Sequence, residues 1–200
     1  MNDKKTLTGI SLAGGSVNYG RVDNDFYATD PQSVKDLLDN FKIEGNSFYE
    51  PCVGQGHIAK VLAEYFPNAK VIGSDLVDRG YPNTIVGDFI QSNLEVEKVD
   101  WIITNPPYSL AKEFIDKSLT LSNKGVAMFL KIQFLEGQAR KDWFKTTPLK
   151  YVYVFSKRQD PWRDGESVNP KTGKKWGSTM CFAWFIWEHN YVGEPMIRWL

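Results

Sequence analysis

The tetrapeptide Asn105-Pro106-Pro107-Tyr108 follows the apolar run "DWIIT" and consists almost entirely of hydrogen-bond acceptors. Neither proline can donate to a sheet or continue a helix, so a buried strand must end here. The side-chain oxygen of Asn105 and the carbonyl of Pro106 can each accept one N–H of a planar amino group. The amino nitrogen then becomes pyramidal, and the fixed dipoles stabilise the charge that builds on it when it attacks an electrophile. Tyr108 can stack on the plane of the same group.

The tetrapeptide does not by itself name the group that it would hold. Adenine in DNA, the bases of RNA and the side-chain amide of a protein glutamine all carry a planar conjugated nitrogen that fits this chemistry. The alternative without chemistry is a Pro-Pro turn that simply ends a core strand.

A second motif with chemical meaning is the glycine-rich stretch "EPCVGQGHIA", in which Gly54 and Gly56 have the spacing of a nucleotide-binding turn. Asp75 ends the next strand-like run 19 residues after Gly56, where a carboxylate can accept both hydroxyls of a ribose. Asp88 and Phe89 end the third run and offer an acceptor for an adenine amino group beside an aromatic face. The alternative for each aspartate is a cap on the following turn.

These motifs lie at the ends of strand-like runs that alternate with helical patterns. Apolar periodicity predicts helices in "SVKDLLDNF" and "HIAKVLAEYF", and more weakly at 109–121 and 138–145. The alternation predicts an α/β sandwich with a mainly parallel sheet. The last two runs, "KYVYVFSK" and "MCFAWFIWEH", have no helix between them and are expected to pair antiparallel. The run "TIVGDF" follows its predecessor too closely for a helical crossover, so we expect a short strand there.

Composition and length suit one domain, because the chain has 200 residues of which 42% are hydrophobic. No run approaches the ~20 apolar residues that cross a bilayer. Residues 1–24 are rich in Gly, Ser and Asn and predict a flexible leader, which places the single domain at 25–200. Cys52 and Cys181 lack the spacing of a zinc site and are expected to be reduced thiols. We therefore expect a soluble cytoplasmic protein without a metal.

Charge is distributed unevenly although the formal net charge is zero. Residues 131–175 carry 11 Lys/Arg against 5 Asp/Glu, and residues 158–178 form a polar insert without periodicity. We expect the insert to contact nucleic acid, with cations for phosphates and an indole for stacking, through Trp162, Arg163, Lys171, Lys174 and Lys175. The alternative is a disordered polar loop, and a charge run is also typical of a solvated face.

Taken together and in this order, the motifs resemble those of the S-adenosylmethionine-dependent amino-methyltransferases, and most closely the small phage-type DNA adenine methyltransferases. The resemblance implies a Rossmann-like class I fold with a mainly parallel seven-stranded sheet, S-adenosylmethionine as cofactor, and Asn105 to Tyr108 as the catalytic motif. It also implies a cofactor site formed by Tyr27 and Thr29 in "DFYATDP", by Glu50, Pro51, Cys52, Gly54 and Gly56 in "EPCVGQG", by Asp75 with Leu76, and by Asp88 with Phe89.

The activity that this resemblance implies is methylation of the 6-amino group of adenine in DNA. The Glu-Pro start of the first motif and the absence of a preceding helical domain favour DNA over protein glutamine, and RNA is the alternative nucleic acid. Such enzymes usually carry a separate target-recognition domain, for which this chain has no room, so a short or relaxed sequence requirement is expected. A binding module without catalysis and a nicotinamide-dependent oxidoreductase are further hypotheses, but both leave the acceptor tetrapeptide unexplained.

Overall fold

The computed structural model describes residues 27–92, 94–159, 162–163, 165–175 and 180–200, so the predicted leader lies outside the described residues. The helices are α1 (Pro31–Asn40), α2 (His57–Tyr65), α3 (Ala111–Leu121) and α4 (Gln138–Lys145). The strands are β1 (Tyr27–Ala28), β2 (Ser47–Glu50), β3 (Lys70–Asp75), β4 (Ile85–Val86), β5 (Val99–Thr104), β6 (Ser122–Lys131), β7 (Leu149–Val154), β8 (Trp162–Arg163), β9 (Phe182–Glu188) and β10 (Met196–Trp199). All four predicted helices are present.

Eight of the strands form one sheet in the order β10-β7-β9-β6-β5-β2-β3-β4. Strand β9 runs antiparallel to both of its neighbours, and the other pairings in this sheet are parallel. The predicted fold class is therefore confirmed, including the antiparallel pair β7 and β9. The sheet has eight strands where seven were predicted, because the short segment Met196–Trp199 adds β10 beside β7. Strands β1 and β8 form a separate two-stranded sheet.

The sheet is buried on both faces. Helices α1 and α2 cover one face, where they pack with Phe48, Ile103 and Trp184, and α3 and α4 cover the other, where Phe185 and Trp187 belong to the core. Side chains therefore alternate between the two cores along each central strand, as the two-residue period of a strand requires. Burial on both faces explains why the central runs are almost continuously apolar.

The short connections at the carboxyl ends of β2, β3 and β5 position the motifs. These strands are parallel neighbours, so their carboxyl ends meet at one edge of the sheet. Helix α1 begins at Pro31, and the side chain of Asp30 caps it by accepting a hydrogen bond from Gln32 N at 2.9 Å. Strand β4 has only two residues, which confirms the expectation of a short third strand.

Candidate functional site

The glycine turn between β2 and α2 is hydrogen-bonded to the end of β3. Gly54 and Gly56 have φ angles of 51° and 79°, in the left-handed region that favours glycine. The backbone N–H of Gly54 donates to Asp75 Oδ2 at 2.8 Å. A Cβ atom on Gly56 would lie 2.1 Å from the ring of Tyr81, so the ring packs directly against the backbone of the turn. The turn therefore depends on glycine both for its dihedral angles and for this contact.

The two strand-end aspartates cap their own turns, as the alternative interpretation expected, and they also face a cavity. Asp75 Oδ1 accepts from Val77 N at 3.2 Å, and Asp88 Oδ1 accepts from both Ile90 N and Gln91 N. Each carboxylate oxygen has more than one lone pair, so these bonds leave acceptor capacity on both side chains. Capping and ligand binding are therefore compatible at both positions.

A cleft of about 130 Å³ opens where the three strands end. Nine of the residues predicted to bind the cofactor line it: Tyr27, Thr29, Glu50, Pro51, Cys52, Asp75, Leu76, Asp88 and Phe89. The two glycines form the adjoining turn rather than the wall. Asn105 and Pro107 of the acceptor tetrapeptide also line the cleft, while Pro106 is buried beside them. The structure thus brings the two predicted motifs to a common cavity, and the roles assigned to their residues stay predictions.

Glu50 brings a buried carboxyl group to the cleft. Its side chain is only 2% exposed, and its Oε2 accepts from Ala59 N at 2.7 Å. Burial raises the pKa of Glu50 well above its usual value, and the neighbouring Asp75 raises it further although the Ala59 hydrogen bond opposes the change. The carboxyl group at the back of the cleft therefore retains its proton to a higher pH than an exposed glutamate does.

Seven residues of the cleft were not predicted: Ala28, Val53, His57, Ile58, Arg79, Leu110 and Phe114. His57 is the first residue of α2 and directly follows the glycine turn, so its position was a usable signal. Burial and the nearby Lys60 lower the pKa of His57, which favours the neutral imidazole. Arg79 lies in the irregular connection between β3 and β4, where no periodic pattern marks it.

Asn105 is held in a defined orientation by the backbone of β1. Its Nδ2 donates to the carbonyl of Tyr27 at 3.0 Å. A carbonyl can only accept, so this contact assigns the amide nitrogen to Tyr27 and directs Oδ1 the other way. The acceptor needed for the proposed chemistry is thereby set in place by a residue 78 positions earlier in the chain.

Asn105 also lines a smaller pocket, with a volume of about 10 Å³, which we call the target pocket. Three aromatic rings form part of its wall: Tyr108, Phe129 and Phe182. Phe129 and Phe182 stack at 5.0 Å, and Tyr108 lies 6.2 Å from Phe182. The rest of the wall includes Tyr27, Thr29, Asp30, Ser33 and Gln159, so the target pocket combines flat apolar surfaces with polar residues, among them the acidic Asp30.

The predicted nucleic-acid residues lie elsewhere. Trp162 pairs with Ala28 through the β8–β1 ladder, and its ring meets that of His57 edge-on at 5.5 Å. Arg163 lies opposite Tyr27 in the same ladder. Three exposed lysines occupy or follow a turn that is closed by a bridge between Val168 and Lys175, and they line neither cavity: Lys171, Lys174 and Lys175. Contact of all five with nucleic acid stays a prediction.

In the ranges that the structure describes, no helix has the length and apolar character to cross a membrane. The same ranges contain no group of three or more His, Cys, Asp or Glu side chains that could hold a metal ion.

Comparison with known proteins gives one sequence relative and a group of structural neighbours. No family model matches the sequence. A protein of Mycoplasma pneumoniae, described as an uncharacterized adenine-specific methylase, is 26% identical over 131 residues, which span 56% of this chain and 28% of that protein. The chain thus spans less than a third of its relative's length.

Solved structures resemble the chain over most of its length. A presumed RNA methyltransferase of Pyrococcus horikoshii superposes with a TM-score of 0.60 at 16% identity, covering 90% of this chain and 95% of that one. The modification subunit of a presumed type I restriction enzyme from Vibrio vulnificus gives a TM-score of 0.58 at 12% identity, covering 84% and 46%. At these identities the likeness establishes the fold, and the chain has the Rossmann-like fold of methyltransferases.

Proposed function

We propose that this chain is an S-adenosylmethionine-dependent methyltransferase that acts on the 6-amino group of adenine in DNA. The observation that carries the proposal is the position of Asn105. Its amide is fixed by the Tyr27 carbonyl at 3.0 Å, and it forms part of the wall of both the cleft and the target pocket. An amino group that enters the target pocket and is bound by Asn105 can therefore meet a methyl donor bound in the cleft.

The residues of the cleft fit S-adenosylmethionine by their chemistry. Asp75 retains acceptor capacity for ribose hydroxyls, and Asp88 retains it for an adenine amino group beside the ring of Phe89. Tyr27 and Thr29 border the part of the cleft that adjoins Asn105 and would hold the methionine portion. The bound cofactor supplies a methyl group made electrophilic by a sulfonium.

The chain itself orients the target and stabilises the charge that develops on it. The Asn105 Oδ1 and the Pro106 carbonyl accept the two N–H bonds of the amino group, which frees the nitrogen lone pair from conjugation with the ring. Both dipoles are fixed before the reaction, so they stabilise the developing positive charge without reorganising. Tyr108, in the wall of the target pocket, supplies a flat surface for the base.

The choice of adenine is supported by the relative from Mycoplasma pneumoniae, which is described as adenine-specific. A nucleic-acid partner is supported by the exposed lysines of the insert, since cations on a surface turn suit phosphate contacts. An adenine in a duplex must leave the base stack to reach a pocket of this kind.

The deciding experiment is methyl transfer from isotopically labelled S-adenosylmethionine to DNA, RNA and protein in parallel, followed by digestion and mass spectrometry. The expected product is N6-methyladenine in the DNA sample. Label found only on cytosine, only in RNA or only on protein would overturn the substrate. Calorimetric titration with S-adenosylmethionine and with NAD tests the cofactor separately, and binding of NAD alone would overturn the methyltransferase proposal.

The nucleic-acid partner is tested by replacing Lys171, Lys174 and Lys175 together by alanine. We expect DNA affinity to fall and its dependence on salt to become flatter, because fewer counterions are released on binding. The matched control removes three exposed lysines at the opposite, amino-terminal edge of the sheet: Lys70, Lys98 and Lys124. Equal flattening in the two triple variants would show that the insert makes no specific contribution.

A further inference from the structure

Ser33 presents a buried hydroxyl group to the target pocket from the first turn of α1. The residue is 1% exposed, and its Oγ donates to Gln159 Oε1 at 2.6 Å. Its backbone is fixed on both sides, because its N–H donates to the Asp30 carbonyl and its own carbonyl accepts from Trp184 Nε1 at 2.9 Å. Ser33 is therefore a rigid member of the pocket wall.

Gln159 is held much less firmly. It is partly exposed and belongs to the irregular segment after β7. Apart from Ser33, its hydrogen bond in the structure is a local one, from Nε2 to the Lys157 carbonyl at 3.0 Å. A local bond of this kind can move together with its segment, so the Gln159 side chain can leave the pocket without disturbing α1.

The target pocket is small, and its volume determines whether a base can enter without a change in the pocket wall. About 10 Å³ remains beside Asn105 while Gln159 is in place, which is roughly the space that a single water molecule needs. Entry of a base therefore requires a wall residue to move, and Gln159 is the weakly held one. Its departure leaves the Ser33 hydroxyl buried without an acceptor, which is unfavourable unless the incoming base supplies one.

We propose that Ser33 is a specificity-determining residue whose hydroxyl donates to a ring nitrogen adjacent to the methylated amino group, in exchange for Gln159. This inference rests on the proposed function, and it names the ring nitrogen as the feature by which the target base is recognised. Adenine carries acceptors at N1 and N7, on either side of its amino group. A site built around a buried hydrogen bond strongly rejects an analogue that lacks the partner, because its own group is then left unpaired.

The test compares three DNA oligonucleotides that differ only at the target base, which is adenine, 1-deazaadenine or 7-deazaadenine. Each deaza base replaces one ring nitrogen by C–H and keeps the amino group. For the wild type, kcat/KM is expected to fall about tenfold on one of the two analogues, in line with the loss of one buried hydrogen bond. Ser33→Ala is expected to lose a similar factor on adenine and nothing further on that same analogue, since the two changes remove one interaction.

Two further variants make the outcome specific. Gln159→Ala should raise kcat/KM on adenine, because no side chain then has to leave the pocket, and it should retain the preference of the wild type because Gln159 makes no contact with the bound base. Ser118→Ala removes another fully buried helical serine, one that lies in neither cavity, and should behave as the wild type does.

The failure of this inference is distinguishable from failure of the proposed function. A wild-type enzyme that methylates adenine but treats both analogues alike would overturn the role of Ser33 alone. The same conclusion follows if Ser33→Ala loses equal activity on all three bases, or if Gln159→Ala abolishes the preference. A wild-type protein that methylates adenine in no oligonucleotide would overturn the proposed function itself, and with it the role of Ser33 in recognising the base.

Discussion

The two cavities that meet at Asn105 are built in different ways. The cleft is walled by carboxyl groups whose oxygens accept from backbone N–H groups of nearby turns, such as Gly54 to Asp75 and Ile90 to Asp88. The target pocket is walled by aromatic rings and by polar residues, of which Ser33 and Gln159 are hydrogen-bonded to each other although they are 126 residues apart in the chain. One side therefore depends on charge and turn geometry, and the other on tertiary packing.

This difference implies that substitutions can impair cofactor binding and methyl transfer independently of each other. A change to a carboxylate or to the glycine turn should weaken cofactor binding or the stability of the turn. A change on the target side should reduce turnover while the cofactor still binds. The variants below test this separation.

The largest effect is expected for Asn105→Ala, which removes the acceptor at the junction of the cavities. Turnover should fall by a factor on the order of 10² to 10³, as for the loss of one preorganised group that stabilises developing charge. Cofactor affinity, measured by calorimetry, should stay close to that of the wild type. Asn123→Ala is the control, because Asn123 is exposed near the amino-terminal start of β6. Activity of Asn105→Ala near the wild-type level would disprove the mechanism.

Asp75→Ala should have the opposite pattern. Losing hydrogen bonds to the ribose and to the Gly54 N–H should weaken S-adenosylmethionine binding by about 1 to 3 kcal/mol. Asp78→Ala is a matched control, since Asp78 also accepts from a turn N–H, that of Gly80 at 2.8 Å, but lies outside the cleft. Unchanged affinity in Asp75→Ala would remove this residue from the cofactor site.

The glycine turn can be tested with two left-handed glycines that differ in their surroundings. Gly80 has a φ of 89° and open space where a Cβ would be, whereas a Cβ on Gly56 would overlap the Tyr81 ring. Gly80→Ala should lower the free energy of unfolding by about 1 kcal/mol through backbone strain alone. Gly56→Ala should cost more, roughly 2 to 3 kcal/mol, because Tyr81 must also move. Denaturant titration measures both, and equal losses would mean that the Tyr81 contact is unimportant.

The smallest effect is expected for Glu50. Burial raises the pKa of this side chain in the folded protein. Above the ordinary value of 4.5, the folded state therefore binds more protons at this group than the unfolded state, and stability falls as the pH rises. Glu50→Gln removes this penalty, so it should increase the free energy of unfolding at pH 7, and the increase should grow as the pH rises above 4.5. The increase should shrink towards zero below pH 4.5.

The same variant should weaken cofactor binding, because Glu50 belongs to the wall of the cleft. Glu95→Gln, an exposed substitution of the same type, should change neither quantity. A Glu50→Gln protein that is less stable than the wild type at neutral pH would contradict the unfavourable burial of this carboxylate.

The cleft was predictable from the sequence because its determinants are local. A glycine turn after one strand and an aspartate at the end of the next are sufficient to place Gly54 and Asp75 together, once the strands are parallel neighbours. Tyr27, which the resemblance assigned to the cofactor site, lines the cleft. The sequence did not show that the backbone carbonyl of Tyr27 would hold Asn105, since every residue carries the same carbonyl.

The target pocket was less predictable because distant segments assemble it. Ser33 resembles an ordinary residue of the first turn of a helix, and nothing near it in sequence indicates Gln159 as its partner. A strand of two residues gives no periodic signal, so the sequence did not show that Trp162 pairs with Ala28 or that its ring meets His57. The eighth strand was missed for the same reason of length.

The position of β9 has a consequence for the order in which the molecule can assemble. Residues 182–188 come late in the chain, yet they insert between β6 and β7 in the middle of the sheet. Until this segment has left the ribosome, β6 and β7 each present an unpaired edge. The hydrogen bond from Trp184 to the Ser33 carbonyl cannot form before then either. Such pairing over long sequence separations is intrinsically slow. During synthesis the cleft can therefore take shape well before the target pocket, which closes only when the last central strand is added.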